Sequence, residues 1–183
     1  QPDVASGADI QRLGEPRLFW GVTGGSVDSM VANTTAAGKP RRSDDFTPGG
    51  RNTRRPNRAV IAYANLIRRH FKNTTPIVLG GIEASLRRIS HYDYWDDRIR
   101  RSVLFDAKAD YLAYGMAEST VVRLAGRLAA GRSVGDLPGI CYAAATPPEG
   151  YIALPPHETV AADPDQFIDM FHRFYENTDP VTA

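Results

Sequence analysis

The chain has 183 residues, 42% hydrophobic and 23% charged, with 22 Lys and Arg against 21 Asp and Glu. That length suits one domain of ordinary size, or one domain with a tail, and the composition excludes disordered, collagenous and coiled-coil chains. No apolar run approaches the roughly 20 residues of a membrane-spanning helix, and one cysteine, Cys141, excludes a disulfide framework or a metal centre built from several thiolates of this chain.

A reducing, cytoplasmic setting with no membrane partner is therefore expected. The chain starts at Gln-Pro-Asp, without the basic head and apolar stretch of a signal peptide, and reads as a piece of a longer protein.

Along the chain, Arg17 to Thr23 is an apolar, strand-like run that ends at Gly24-Gly25. Ser26 is placed to cap a helix reaching Thr34. A long connection from Gly38 to Asn57 follows, with Pro40, Pro48, Gly49, Gly50 and Pro56 among five arginines (41, 42, 51, 54 and 55). Connections of that length are usually functional or disordered. Asn57 could cap a helix from Arg58 to Phe71, where Val60, Ala64 and Ile67 share one face.

Pro76 to Leu79 is a second buried strand, ending at Gly80-Gly81. Ser85 to Arg101 forms another long connection, and its aromatic residues predict an ordered segment. Asp110 to Tyr114 is a third strand, ending at Gly115. Glu118 to Ala130 places Val121, Leu124, Ala125 and Leu128 at helical spacing, closed by Gly131. Gly139 to Ala143 is a fourth strand. Thr146 to Pro156 predicts a turn and a short hairpin arm. Asp163-Pro-Asp opens a last helix through Asn177, with Phe167, Met170, Phe171 and Phe174 as its apolar stripe.

Strands alternating with helices predict an α/β, Rossmann-like layered domain with a mostly parallel sheet flanked by helices. The domain is expected over residues 1–145, with 146–183 as a linker arm and C-terminal helix.

Charge is unevenly spread. Residues 41–101 hold 14 basic side chains against six acidic ones, and the remainder holds 8 against 15. Such asymmetry can mark a nucleic-acid or phosphate-ligand partner. The alternative is that the arginines pair with acids or anchor a loop.

Ligands of parallel α/β sheets bind beyond the carboxyl ends of the strands, where glycine allows close backbone approach. The candidate cofactor-binding residues are accordingly Thr23, Gly24, Gly25, Ser26, Gly80, Gly81, Glu83, Gly115 and Glu118. Tight strand–helix turns would explain the same glycines. No dinucleotide fingerprint, P-loop lysine or zincin histidine pair is present. His91 lies near Asp93, which could orient it as a base, or it is simply a structural histidine. Cys141, inside a predicted strand, reads as a buried inert thiol.

Several blocks carry more than fold-level information. They are Leu18-Phe-Trp-Gly-Val-Thr-Gly-Gly-Ser-Val-Asp-Ser-Met-Val31, Thr47-Pro-Gly-Gly50, Arg55-Pro-Asn-Arg-Ala59, Leu79-Gly-Gly-Ile-Glu-Ala-Ser-Leu-Arg-Arg88, His91-Tyr-Asp-Tyr-Trp95 and Arg100-Arg-Ser-Val-Leu104. Together they resemble the N-terminal region of the YgiQ family of radical S-adenosylmethionine proteins. The resemblance implies a Rossmann-like domain similar to cobalamin-binding domains, joined to a C-terminal radical domain outside this chain. It implies a 4Fe–4S cluster and S-adenosylmethionine in the full-length enzyme, held through cysteines beyond Ala183.

No cofactor is expected on this piece itself, and no catalytic or metal-ligating residue is carried over. The Asp-x-His-x-x-Gly cobalt-ligand motif is absent, which leaves ligand-less cobalamin binding open, and equally a domain that has lost the cofactor. The family's first strand is expected to precede Gln1. Arg87, Arg88, His91, Tyr92, Asp93 and Tyr94, all within these blocks, are candidates for substrate or interface contacts.

Overall fold

The computed structural model describes residues 1–178; the last five residues of the expected 146–183 segment lie outside it. In chain order its elements are α1 (Ala8–Gln11), β1 (Trp20–Thr23), α2 (Ser29–Asn33), α3 (Ala59–His70), β2 (Ile77–Gly80), α4 (Gly81–Leu86), β3 (His91–Asp93) and β4 (Arg98–Arg100). They continue with α5 (Val103–Asp106), β5 (Tyr111–Ala113), α6 (Glu118–Ala129), β6 (Ile140–Tyr142), α7 (His157–Ala162) and α8 (Pro164–Glu176).

The chain divides into two compact units. One comprises Gln1–Arg88 and Val103–Ala143, and the other comprises Ile89–Ser102 with the segment from Ala144 onward. The first is a mixed α/β layer with the strand order β1-β2-β5-β6. β1, β2 and β5 are parallel, and β6 returns antiparallel to β5. The mostly parallel, helix-flanked sheet expected from the alternation is therefore present, with an antiparallel strand at one edge.

The period-2 alternation of β2 sorts its side chains between two cores. Ile77 and Leu79 pack with Val60, Ala64 and Ile67 of α3 on one face. Val78 faces the other way, with Ala113, Leu124, Val134 and Leu137. Burying each such side chain stabilises by about 1.5–3 kcal/mol, so the short strands owe their persistence to being covered on both sides. The stripe foreseen on α3 is buried throughout, whereas on α6 only Leu124 is fully buried.

Several local expectations are corrected. Ser26 does not cap α2. The helix begins at Ser29, and Asp28 is its N-cap, accepting from the Met30 N–H at 2.9 Å. Asn57 does not cap α3 either. Its Oδ1 accepts from Asn33 Nδ2 at 2.8 Å, and Arg58 enters the helix in the left-handed conformation, φ 52°. Residues 157–162, which the sequence pattern did not assign, are helical. β3 and β4 pair as a hairpin in register His91↔Arg100, Tyr92↔Ile99 and Asp93↔Arg98.

The 38–57 connection has little regular structure but is tied down. Arg55 pairs with Asp44 at 2.8 Å, with both side chains almost fully buried. Thr47 Oγ1 also donates to Asp44. Burial pushes the Asp44 carboxyl up, but the bonds from Thr47 and the Phe46 N–H, with Arg55 beside it, outweigh this and hold it below its ordinary 3.8.

In the second unit Asp163 caps α8, accepting from the Asp165 N–H at 2.9 Å, as the Asp-Pro-Asp pattern predicts. Met170 is buried there, but Phe171 is 50% exposed, so the apolar stripe is only partly covered. No helix among the described residues is long and apolar enough to cross a membrane.

Candidate functional site

Three parallel strands end in glycine turns, and the turns lock into one another. Thr23 Oγ1 accepts from the Gly25 N–H at 3.2 Å and closes the turn after β1. Gly81 has φ +77°, and a Cβ on it would collide with Thr23 Oγ1. A Cβ on Gly24 would collide with the Glu83 carboxylate. The Gly115 N–H donates to Ser85 Oγ at 3.2 Å, which ties the end of β5 to α4. Two of these glycines therefore accommodate neighbouring side chains of the same chain. Thr23, Gly25, Ser26, Gly115 and Glu118 remain exposed at the strand ends.

Glu83 sits at the centre of this arrangement with 1% exposure. Its Oε2 accepts from the Ser29 N–H at 2.9 Å and its Oε1 from the Val60 N–H at 3.0 Å. Ser29 Oγ in turn accepts from the Ala59 N–H at 3.0 Å. One carboxylate from α4 thus meets the unpaired amides at the starts of α2 and α3, where backbone donors and the helix dipole favour an acceptor. This explains why Arg58 needs no side-chain cap. Both Glu83 oxygens are occupied within the chain.

The two adjacent arginines diverge. Arg87 forms an ion pair with Asp28, donates to Glu83 O at 3.1 Å and reaches Met30 Sδ at 3.3 Å, joining α4 to α2. Arg88 donates to Ser85 O at 2.5 Å and lies over the Tyr114 ring, 4.8 Å from its centroid. It also faces Cys141. Burial pushes that thiol above its ordinary 9.0, and Arg88 offsets part of the effect.

The remaining candidates lie in the second unit. His91 Nδ1 is 3.1 Å from Ile89 O. Asp93 is 5% exposed and accepts from the Trp95 and Asp96 N–H groups at 3.0 and 3.3 Å, with Arg100 at 3.6 Å. Arg100 also pairs with Asp96 at 2.9 Å. Tyr92 donates to Asp97 at 2.6 Å, a bond that raises the phenol pKa, and Tyr92 and Tyr94 are exposed. The hairpin turn is thus organised by Asp93, and its tyrosines face outward.

Thr23 to Ser26, Gly80, Gly81, Glu83, Arg87, Arg88, Gly115 and Glu118 therefore share one unit, and His91 to Tyr94 belong to the other. Sequence reasoning missed Asp28, Ser29 and Tyr63. Asp28 carried a readable signal, an acid just ahead of a short apolar run, which is the usual N-cap pattern. Nothing local marked Tyr63, whose buried hydroxyl has no hydrogen-bond partner among the described residues.

The whole chain, residues 1–183, matches the radical SAM N-terminal family. The chain belongs to that family. This radical SAM N-terminal domain is 55% identical to a UPF0313 protein of Fusobacterium nucleatum, covering all of this chain and 32% of that protein. It is 48% identical to a UPF0313 protein of Thermotoga maritima over 98% of this chain and 32% of the relative. A UPF0313 protein of Methanocella arvoryzae is 47% identical, over 98% of this chain and 31% of the relative. The chain spans about a third of the length of these curated relatives. No solved structure matches it.

The family implies a 4Fe–4S cluster and S-adenosylmethionine in the full-length protein. The donor set of this domain does not fit such a cluster. Its one cysteine is a half-buried strand residue with a raised pKa. Among the described residues no group of three or more His, Cys, Asp or Glu could hold a metal ion.

Proposed function

We propose that this chain is the accessory N-terminal domain of a radical S-adenosylmethionine enzyme with a 4Fe–4S cluster, a cytoplasmic protein of the YgiQ type. In this reading the α/β unit of Gln1–Arg88 and Val103–Ala143 is the Rossmann-like, cobalamin-domain-like part of the expected 1–145 domain, and 146–183 lead to the radical domain. The domain caps the radical domain and presents its strand ends to a substrate or cofactor. The observation that carries the reading is the family match over the whole of a chain with one thiol, so the cluster chemistry belongs to the rest of the polypeptide.

At the strand ends, Thr23, Gly25, Ser26, Gly115 and Glu118 are the exposed groups a ligand would meet; Gly24 and Glu83 are buried and engaged with their neighbours, and Gly81, though exposed, packs against Thr23. For cobalamin this leaves a surface of backbone and small polar groups with no cobalt-ligating motif. The arginine-rich stretch supplies less reason for a nucleic-acid partner than its charge suggested, since Arg41, Arg55, Arg87, Arg88 and Arg100 are all used within the chain.

The test uses the full-length protein, reconstituted anaerobically with iron and sulfide and then reduced with dithionite in the presence of S-adenosylmethionine. Charge-transfer absorption of a 4Fe–4S cluster and reductive cleavage of S-adenosylmethionine to 5′-deoxyadenosine are expected. A full-length protein that takes up no cluster overturns the enzyme reading. Titration with cobalamin, read as a shift in its visible spectrum, tests the cofactor reading separately.

A further inference from the structure

α8 carries more apolar surface than its own unit covers. At about 3.6 residues per turn, Met170, Phe174, Phe167, Phe171, Tyr175 and Ile168 follow one another round about 160° of the helix. Packing on one side occupies an arc of about 100°. One end of the arc is covered: Met170 is 2% exposed, and α7 packs beside α8 with its Val160 buried. Phe167 and Phe174 are half-buried. The other end is open, with Ile168 and Phe171 each 50% exposed and Tyr175 69% exposed.

These three side chains make a continuous stripe along two turns of the helix. Phe171 and Tyr175 stack, with ring centroids 6.0 Å apart and planes at 19°. No Asp, Glu, Lys or Arg falls within the arc. The Asp169–Arg173 ion pair, at 3.0 Å, lies on the opposite side. Aromatic side chains without charge are the composition of an interface centre, and a solvated helix face is charged.

The size of the stripe limits what can cover it. At those exposures it offers roughly 300–400 Å² of apolar surface. A freely diffusing partner, or a second copy of this chain, needs about 800 Å² on each side of a stable interface. A tethered partner needs far less, because a short connection holds it at an effective concentration of about millimolar. α8 is the last element of the described residues. The chain matches an N-terminal family, and its curated relatives hold about two thirds of their length outside the region it covers. In such proteins the next part of the polypeptide is tethered beside this stripe.

We propose that the stripe of Ile168, Phe171 and Tyr175 is the seat on which the polypeptide after residue 183 docks in the full-length protein. The docking segment presents an apolar surface, and Phe171 and Tyr175 are its anchors. The inference rests on the reading of this chain as the N-terminal domain of a longer enzyme, and it names the surface through which the two parts meet.

Photo-crosslinking in the full-length protein tests it, with p-benzoylphenylalanine in place of Tyr175. Irradiation is expected to join position 175 to residues beyond 183 of the same molecule, read by mass spectrometry of the digested monomer. A product of doubled mass overturns the proposal in favour of a second copy. Attachment confined to residues 1–183, or no crosslinked product, overturns it outright. Phe171→Asp should lower the crosslinking yield about tenfold or more, while Phe171→Leu, which keeps an apolar side chain, should leave it near the parent value. Equal yields from the two variants overturn the proposal. Crosslinking requires no cluster, so a full-length protein that takes up no iron yet crosslinks beyond residue 183 loses the enzyme reading and keeps this one.

Discussion

Replacing Glu83 with Gln separates an architectural carboxylate from a ligand-binding one. The side chain keeps its size, but one acceptor oxygen becomes an NH₂ group facing a backbone N–H. Of the two bonds now made, to Ser29 at 2.9 Å and Val60 at 3.0 Å, one survives between neutral partners and the other is lost. A buried donor left unsatisfied costs about 1–3 kcal/mol, and loss of charge assistance about 1 more. Part of this is offset because a neutral amide is easier to bury. The expected net cost is about 2–3 kcal/mol, which lowers protection of the Ser29 and Val60 amides about 30- to 150-fold in native-state hydrogen exchange. Amides of α8 in the second unit serve as the internal reference. Unchanged protection at Ser29 and Val60, with weakened ligand binding, would refute the architectural role and return Glu83 to the ligand site.

Three further outcomes are expected. Gly24→Ala forces a methyl group onto the Glu83 carboxylate, which its two bonds hold in place, and should cost about 1–3 kcal/mol in thermal or urea unfolding. An unchanged midpoint would mean the turn relaxes freely. The Asp44 carboxyl titrates below its ordinary 3.8 in the fold, so its contribution is complete above 3.8 and fades as pH falls through the lower folded value. Pepsin cleavage within 41–55 should accelerate below 3.8, and Asp44→Asn should open the same loop to trypsin at neutral pH; a loop equally resistant in both would count against the pin. Cys141 should alkylate more slowly than free glutathione at pH 8, and more slowly still in Arg88→Ala, because burial raises its pKa and Arg88 opposes that. Alkylation of Arg88→Ala at the parent rate would remove Arg88 from the account.

The sheet was legible because its strands are covered on both faces and so read as continuous apolar runs ending in glycine. The alternation with helices then set the order, and Asp163 announced α8 by a local Asp-Pro pattern. At α2 the local cap Asp28 was readable but Ser26 was chosen, and Glu83, 54 residues away in sequence, meets the Ser29 amide besides. At α3 the Val60 amide is met by Glu83, 23 residues away, and a capping rule that inspects neighbouring residues selects Asn57 and cannot find a distant carboxylate. The same holds for Asp44 and Arg55, whose pairing makes an apparently loose loop ordered. At the strand ends, glycine marked the right places, but it could not tell space left for a ligand from space taken by Thr23 and Glu83.

The Glu83 junction also bears on how the chain folds. α2 has five residues, too few to persist alone in water. Its first amide meets its partner only after a loop of more than fifty residues has closed, a non-local step that slows folding. During synthesis the residues of β1, α2 and the start of α3 are made before Glu83. β1 and the starts of α2 and α3 must therefore wait, and the domain should settle in one late, concerted step once α4 has emerged.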